Sequence, residues 1–218
     1  MTTPGLVIFD CDGVLVDTET VANRVLAEVM TDLGVPMDGP ACQRTFMGRT
    51  LESVQQMAEG MCGQKLPADW PDQIRQKDLE AFAAGIKPIE GICDVIGFLK
   101  DRSIPFCVGS SGKYEKMHAT LGSAGLLDVF KDVLYSAQDC ATGKPAPDIF
   151  LLAARGMGAD PATCVVIEDS LPGVMAARSA GMAVYGYTAD PACDKQAMRN
   201  AGAVLFDKMS ALPELLIS

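Results

Sequence analysis

Asp10 and Asp12 are the residues of this chain whose types and spacing most directly imply chemistry. Leu6-Val7-Ile8-Phe9 is an apolar run, and Asp10-Cys11-Asp12-Gly13 follows it at once. Two carboxylates at the end of a buried strand are costly to keep ionised unless a cation compensates them. A hard divalent ion such as Mg²⁺ does so through oxygen ligands and needs only one or two carboxylates. The same spacing lets one carboxylate attack while its neighbour handles a proton. A solvated turn would explain the acidity, but not its seat directly on a core strand.

Three further clusters have chemistry of the same kind. Gly109-Ser110-Ser111-Gly112-Lys113 offers small residues, hydroxyls and free backbone N–H groups just before a helix, an arrangement that suits a phosphate oxygen. In Gly143-Lys144-Pro145 the lysine is flanked by a glycine and a proline, and a fixed ammonium there can neutralise both a carboxylate and a phosphate. Glu168-Asp169-Ser170 is a second acidic pair. Each has an ordinary alternative: a strand-to-helix cap, a solvated lysine, an acidic helix start. Their coincidence at the carboxyl ends of expected strands argues for one site.

The elements that must position these residues follow from two alternating textures. Leu6 to Phe9, Phe106 to Val108, Val133 to Tyr135, Cys164 to Ile167, Ala183 to Tyr187 and Ala203 to Phe206 read as buried parallel strands. From residue 91 onward the gaps have helix punctuation: Ser170 with Pro172 opens one helix and Gly181 stops it, while Asp190-Pro191 and Gly202 frame another. The pattern predicts an α/β fold with a doubly wound, mostly parallel, Rossmann-like sheet. Residues 18–86 break the alternation with three helical stripes, Val21 to Leu33, Leu51 to Met61 and Ile74 to Phe82. They are expected to form an inserted α-helical cap domain, leaving 1–17 and 87–218 as the core domain. Reactive sites in open α/β sheets lie at the carboxyl ends of the strands, so an insertion directly after strand one would act as a lid.

Composition narrows the function classes. A chain of 218 residues with 49% hydrophobic and 21% charged residues can bury a substantial core. Its net charge of −10 argues against nucleic acid or anionic membrane as a partner, and any anionic substrate must be caught by a few local cations. The eight cysteines are scattered without ligand spacing, and Cys107 and Cys164 read as small core residues. The single histidine, His118, removes His-based zinc sites and Ser-His-Asp triads and is expected on a helix surface. Trp70 reads as packing, and Lys113 and Lys116 as solvated lysines. With no signal-like N-terminus or long apolar run, a cytoplasmic monomer acting on a small molecule is expected.

Asp10-Cys11-Asp12-Gly13-Val14-Leu15-Val16-Asp17-Thr18, Ser110, Gly143-Lys144-Pro145 and Ile167-Glu168-Asp169-Ser170 closely resemble the four signature motifs of the haloacid dehalogenase superfamily. Within it the chain is similar to the sugar-phosphatase and β-phosphoglucomutase-like branch. The resemblance implies a phosphatase in which Asp10 is the nucleophile and forms an aspartyl-phosphate. Asp12 would act as acid and then base. Mg²⁺ would be held by Asp10, the backbone carbonyl of Asp12 and Asp169, with Glu168 as a direct or water-mediated ligand. Ser110, the Ser111 backbone N–H and Lys144 would cradle the phosphoryl oxygens. Arg49 in the cap resembles the arginine with which the mutases grip a distal phosphate. Those mutases have a histidine twelve residues after the nucleophile, and here that position is Ala22, which favours transfer to water. Dehalogenases lack the second aspartate, which is present here. The expected function is hydrolysis of a sugar phosphate or sugar-acid phosphate. A phosphosugar mutase and a catalytically silent binding module are the alternatives.

Overall fold

A computed structural model describes residues 3–47, 49–191 and 193–217. The chain divides into two compact units, Met1–Asp17 with Lys87–Ser218, and Thr18–Ile86. Among the described residues, the first unit has six strands: β1 (Leu6–Phe9), β2 (Phe106–Ser110), β3 (Leu134–Ser136), β4 (Cys164–Glu168), β5 (Ala183–Tyr187) and β6 (Val204–Phe206). All pair in parallel, in the order β3-β2-β1-β4-β5-β6. Leu6, Val7, Ile8 and Phe9 have no exposed surface, as expected of a central strand covered on both faces. The order reverses direction between β1 and β4, the topological switch at which open α/β sheets leave a crevice.

Among the described residues, four helices lie in the second unit, α1 (Thr18–Asp32), α2 (Gly39–Phe46), α3 (Leu51–Cys62) and α4 (Trp70–Ala84). Seven follow in the first unit: α5 (Ile92–Asp101), α6 (Tyr114–Ser123), α7 (Leu127–Phe130), α8 (Asp148–Gly156), α9 (Leu171–Ser179), α10 (Lys195–Asn200) and α11 (Leu212–Ile217). Ser170 caps α9 as its sequence implies, accepting from the Gly173 N–H at 3.2 Å, and Gly181 past its end takes φ +78°. The helix expected to open at Asp190-Pro191 starts later. Its cap is Asp194, which accepts from Ala197 N–H at 2.9 Å.

The second unit has its own core of Leu26, Met30, Phe46, Val54, Trp70 and Ile74. Its helix α2 has no counterpart among the three expected stripes, because only Cys42 and Phe46 of its eight residues are buried. Asp38 starts it, accepting from Ala41 N–H at 2.8 Å. Trp70 is buried there and His118 is exposed on α6, both as expected. Where the chain leaves and re-enters the first unit, the two stems are tied: Asp17 N–H donates to the Lys87 carbonyl at 3.0 Å, and Ile89 N–H to that of Leu15 at 2.9 Å. No helix among the described residues is long and apolar enough to cross a membrane.

Phe130 has no exposed surface and meets the rings of Phe9 and Phe106 edge-on, with centroids 6.4 and 5.5 Å away. Phe130→Ala is therefore expected to cost about 3–5 kcal/mol of unfolding free energy. Urea denaturation measures this, and a loss below about 1 kcal/mol would show that the three rings do not pack as one cluster.

Candidate active site

The switch point brings the carboxyl ends of β1 and β4 side by side. Asp10 N–H donates to the Ile167 carbonyl at 2.9 Å, so Asp10 enters the site next to Glu168. Lys144, from the loop between β3 and α8, donates from Nζ to Asp10 Oδ1 and to Glu168 Oε1, each at 2.6 Å. Its side chain is 7% exposed, and its ammonium lies 5.0 Å from the centre of the Phe150 ring. Glu168 Oε2 accepts from both the N–H and the hydroxyl of Ser170 at 2.9 Å. A Cβ at Gly173 would overlap the Glu168 carboxylate, so that residue of α9 is small by necessity. Glu168, expected as a direct or water-mediated metal ligand, here accepts from Lys144 and from Ser170.

The loop after β1 folds back on itself, with Gly13 N–H donating to the Val16 carbonyl at 2.9 Å and Leu15 N–H to that of Cys11 at 2.9 Å. Gly13 takes φ +75°, and a Cβ there would overlap Asp169 Oδ2, so a glycine is what allows the Asp169 carboxylate to close on the loop. Asp12 Oδ2 accepts from Lys116 Nζ at 2.7 Å, while its Oδ1 is buried with no hydrogen-bond partner among the described residues. Lys116 is therefore not the solvated lysine its surroundings in sequence imply. A lysine at the third position of a helix has no signature that would single it out.

At the end of the neighbouring β2, Ser110 is buried, and its Oγ accepts from Gly112 N–H at 3.0 Å. Ser136, at the end of β3, donates to the Gly112 carbonyl at 2.7 Å and accepts from Gln138 N–H at 3.2 Å, bracing the same loop. Sequence reasoning missed it, because a single serine at a strand end is unremarked until its strand partner is known. Ser111 is exposed. Asp10, Asp12, Ser110, Ser111, Lys144, Glu168 and Asp169 all belong to the first unit at strand carboxyl ends or the loops that leave them. Arg49 belongs to the second unit, exposed just before Thr50, the cap of α3; its neighbour Gly48 lies outside the described residues.

Burial raises the Asp10 carboxyl from 3.8 to about 7; Lys144 opposes the rise, while Glu168 and Asp12 add to it. Burial alone would lower the Lys144 ammonium, but Asp10 and Glu168 outweigh it and hold it above its ordinary value. The site gathers the carboxyl groups of Asp10, Asp12, Glu168 and Asp169 around the ammoniums of Lys144 and Lys116. Its acidic donors are all hard oxygens, the kind a divalent cation takes. Among the described residues no three His, Cys, Asp or Glu side chains form an ion cage. Mg²⁺ does not require one, since it binds through one or two carboxylates and keeps several waters.

A family model described as haloacid dehalogenase-like hydrolase matches residues 4–181. The chain is 28% identical over 210 residues to 6-phosphogluconate phosphatase of Escherichia coli (strain K12), covering 96% of this chain and 93% of that protein. It is 30% identical over 217 residues to hexitol phosphatase B of the same organism, covering 95% and 92%. A HAD family hydrolase from Deinococcus radiodurans R1, solved with bound phosphate and sodium, superposes with a TM-score of 0.85 at 28% identity and covers 100% of this chain and 99% of its own. The chain belongs to the haloacid dehalogenase-like hydrolases, in their sugar-phosphatase branch.

Removing Lys144 would leave two buried carboxylates uncompensated. Lys144→Met is expected to cost about 3–5 kcal/mol near pH 8. The carboxylates of the folded variant then hold protons at higher pH than in the unfolded chain, so the variant gains stability as pH falls. The gap to the parent should accordingly narrow between pH 8 and 5. Urea titrations across that range test this, and a deficit independent of pH would mean that lost packing, not uncompensated charge, sets the cost.

Proposed function

We propose that this chain is a Mg²⁺-dependent phosphatase that moves the phosphoryl group of a small phosphorylated metabolite first to Asp10 and then to water. The observation that carries the reading is Asp10 itself, a buried carboxylate at the switch point with one oxygen fixed by Lys144. The other oxygen, Oδ2, attacks phosphorus as the ester bond breaks, and the leaving oxygen takes a proton from Asp12. Water then attacks the aspartyl-phosphate, its proton goes to Asp12, and Asp10 is released as carboxylate. One residue thus serves as acid and then as base, and both are ready for the next turnover. Lys144, the Ser110 hydroxyl and the Ser111 N–H hold the non-bridging oxygens as charge develops on them.

Asp10, the backbone carbonyl of Asp12 and Asp169 would hold the metal. When bound, Mg²⁺ supplies charge that relieves repulsion between carboxylate and phosphoryl group and aligns the two. The hard oxygen donors that the end of β1 and the loop after β4 bring together support that assignment. Sugar phosphates and sugar-acid phosphates are the proposed substrates, supported by the names of the Escherichia coli relatives and the phosphate of the Deinococcus structure. Ala22, where the mutases have a histidine, supports hydrolysis over phosphosugar transfer. The enzyme is proposed to act in the cytoplasm as a monomer, with the second unit as a cap that selects substrate through Arg49.

Asp10→Asn is expected to abolish hydrolysis of p-nitrophenyl phosphate while circular dichroism stays that of the parent, because the amide is nearly isosteric but cannot attack phosphorus. EDTA should silence the parent enzyme and Mg²⁺ restore it, with Ca²⁺ a poor substitute. Full turnover in metal-free buffer, or by a folded Asp10→Asn variant, would sink the reading.

Arg49→Ala is expected to lower kcat/KM by about 10–100-fold on the natural substrate, the effect of losing one charge-assisted contact. It should change p-nitrophenyl phosphate hydrolysis much less. Equal losses on both substrates would assign Arg49 to the fold of the cap.

A further inference from the structure

The reaction above uses Asp12 but leaves Lys116 without a role, although its ammonium lies 2.7 Å from Asp12 Oδ2. The two side chains are 32% and 30% exposed, and an ion pair that wet adds little to stability. Its geometry is more telling than its energy. The Asp12 backbone is already fixed by the bridge to Val16 and by the Gly13 N–H bond to the Val16 carbonyl. Lys116 springs from the first turn of α6, and its own carbonyl accepts the Thr120 hydroxyl at 3.0 Å. Between these two pieces of backbone the ion pair takes one carboxylate oxygen and leaves the other, Oδ1, buried and unpartnered among the described residues.

We infer that Lys116 is the positioning residue for Asp12, holding Oδ2 so that Oδ1 is the one atom that exchanges the proton. The inference rests on the phosphatase reading and deepens it. In the first step Asp10 bonds to phosphorus, the ester oxygen departs, and the proton on Asp12 Oδ1 passes to that oxygen. In the second, water bonds to phosphorus, its proton returns to Oδ1, and the bond from phosphorus to Asp10 breaks. One oxygen must occupy the same place in both steps, and a carboxylate free to turn about its last bond would lose that alignment.

The test compares the parent, Lys116→Met and Lys116→Arg on phenyl phosphate and p-nitrophenyl phosphate, substrates of similar size whose leaving groups differ in their need for a proton. Proton donation by a placed acid is worth about 10²–10⁴-fold in rate. Misplacing Asp12 should take a part of that, so Lys116→Met is expected to lower kcat/KM on phenyl phosphate by about 10–100-fold. The loss on p-nitrophenyl phosphate should be at least several-fold smaller, and Lys116→Arg should recover most of it. Inorganic phosphate should inhibit the parent and the methionine variant equally. Equal losses on the two substrates, weakened phosphate inhibition, or no loss at all would each overturn the positioning role. Should the methionine variant fail to fold, Lys116→Gln takes its place in the same comparison. A parent enzyme that hydrolyses neither ester overturns the phosphatase reading, whereas an active parent with a leaving-group-blind variant overturns only the role of Lys116.

Discussion

The buried ammonium of Lys144, shared between Asp10 and Glu168, is the constraint on which the rest of the site depends. Two carboxylates drawn from adjacent strands repel each other, and neither can be dehydrated without a counter-charge. One lysine at 2.6 Å from both resolves this, but only if all three groups are held by their surroundings. The structure supplies that holding. Ser170 fixes the far side of Glu168 with two hydrogen bonds, Gly173 leaves room for its carboxylate, and Phe150 covers the lysine. A buried ion cluster of this kind is a weak source of stability, since well-packed apolar side chains of the same volume do as well or better. Its presence is explained by what a fixed carboxylate and a fixed ammonium can do together.

Sheet order determines why these groups meet. Strands β1 to β3 progress in one direction and β4 to β6 in the other, so the connections leaving β1 and β4 diverge and open a crevice between them. Every group in the first unit assigned to the reaction is attached to the end of a strand or to the loop that follows one. The chain as a whole has a net charge of −10, which repels a phosphate ester at long range. Local order reverses that average, since Lys144 and Lys116 are brought to the carboxyl ends of the strands.

Much of this was legible in the chain before any coordinates. The six apolar runs gave the strands to within two residues at their ends, most closely at β1, which is covered on both faces and has no polar alternation to confuse its limits. Motif residues could be placed at strand ends because an abrupt change from Val, Ile and Phe to Asp, Ser or Glu marks where the sheet stops. What escaped had weaker local signals. Helix α2 buries only two residues, and Asp194 was overlooked as a cap because Asp190-Pro191 offered a stronger turn signal four residues earlier. Lys116 and Ser136 were missed for a different reason: their importance lies in contacts across 104 and 24 residues of sequence, to Asp12 and Gly112, and spacing along one element does not reveal such pairs.

The position of the inserted unit has a physical logic of its own. It interrupts the chain between β1 and α5, shortly after Asp10, where a disturbance would displace that carboxylate. The stems prevent that, because Asp17 with Lys87 and Leu15 with Ile89 are bonded within the first unit. Val16 at the same place bridges Pro88 on one side and Asp12 on the other, so the loop of Asp12 is closed before the chain departs. Residues 18–86 can then build a core from their own Leu26, Met30, Phe46 and Trp70 without drawing on the sheet. Asp10, Lys144 and Glu168 are likewise held by contacts within the first unit, which is why their arrangement followed from motifs at strand ends, whereas no motif of that kind marks the residues of the insertion.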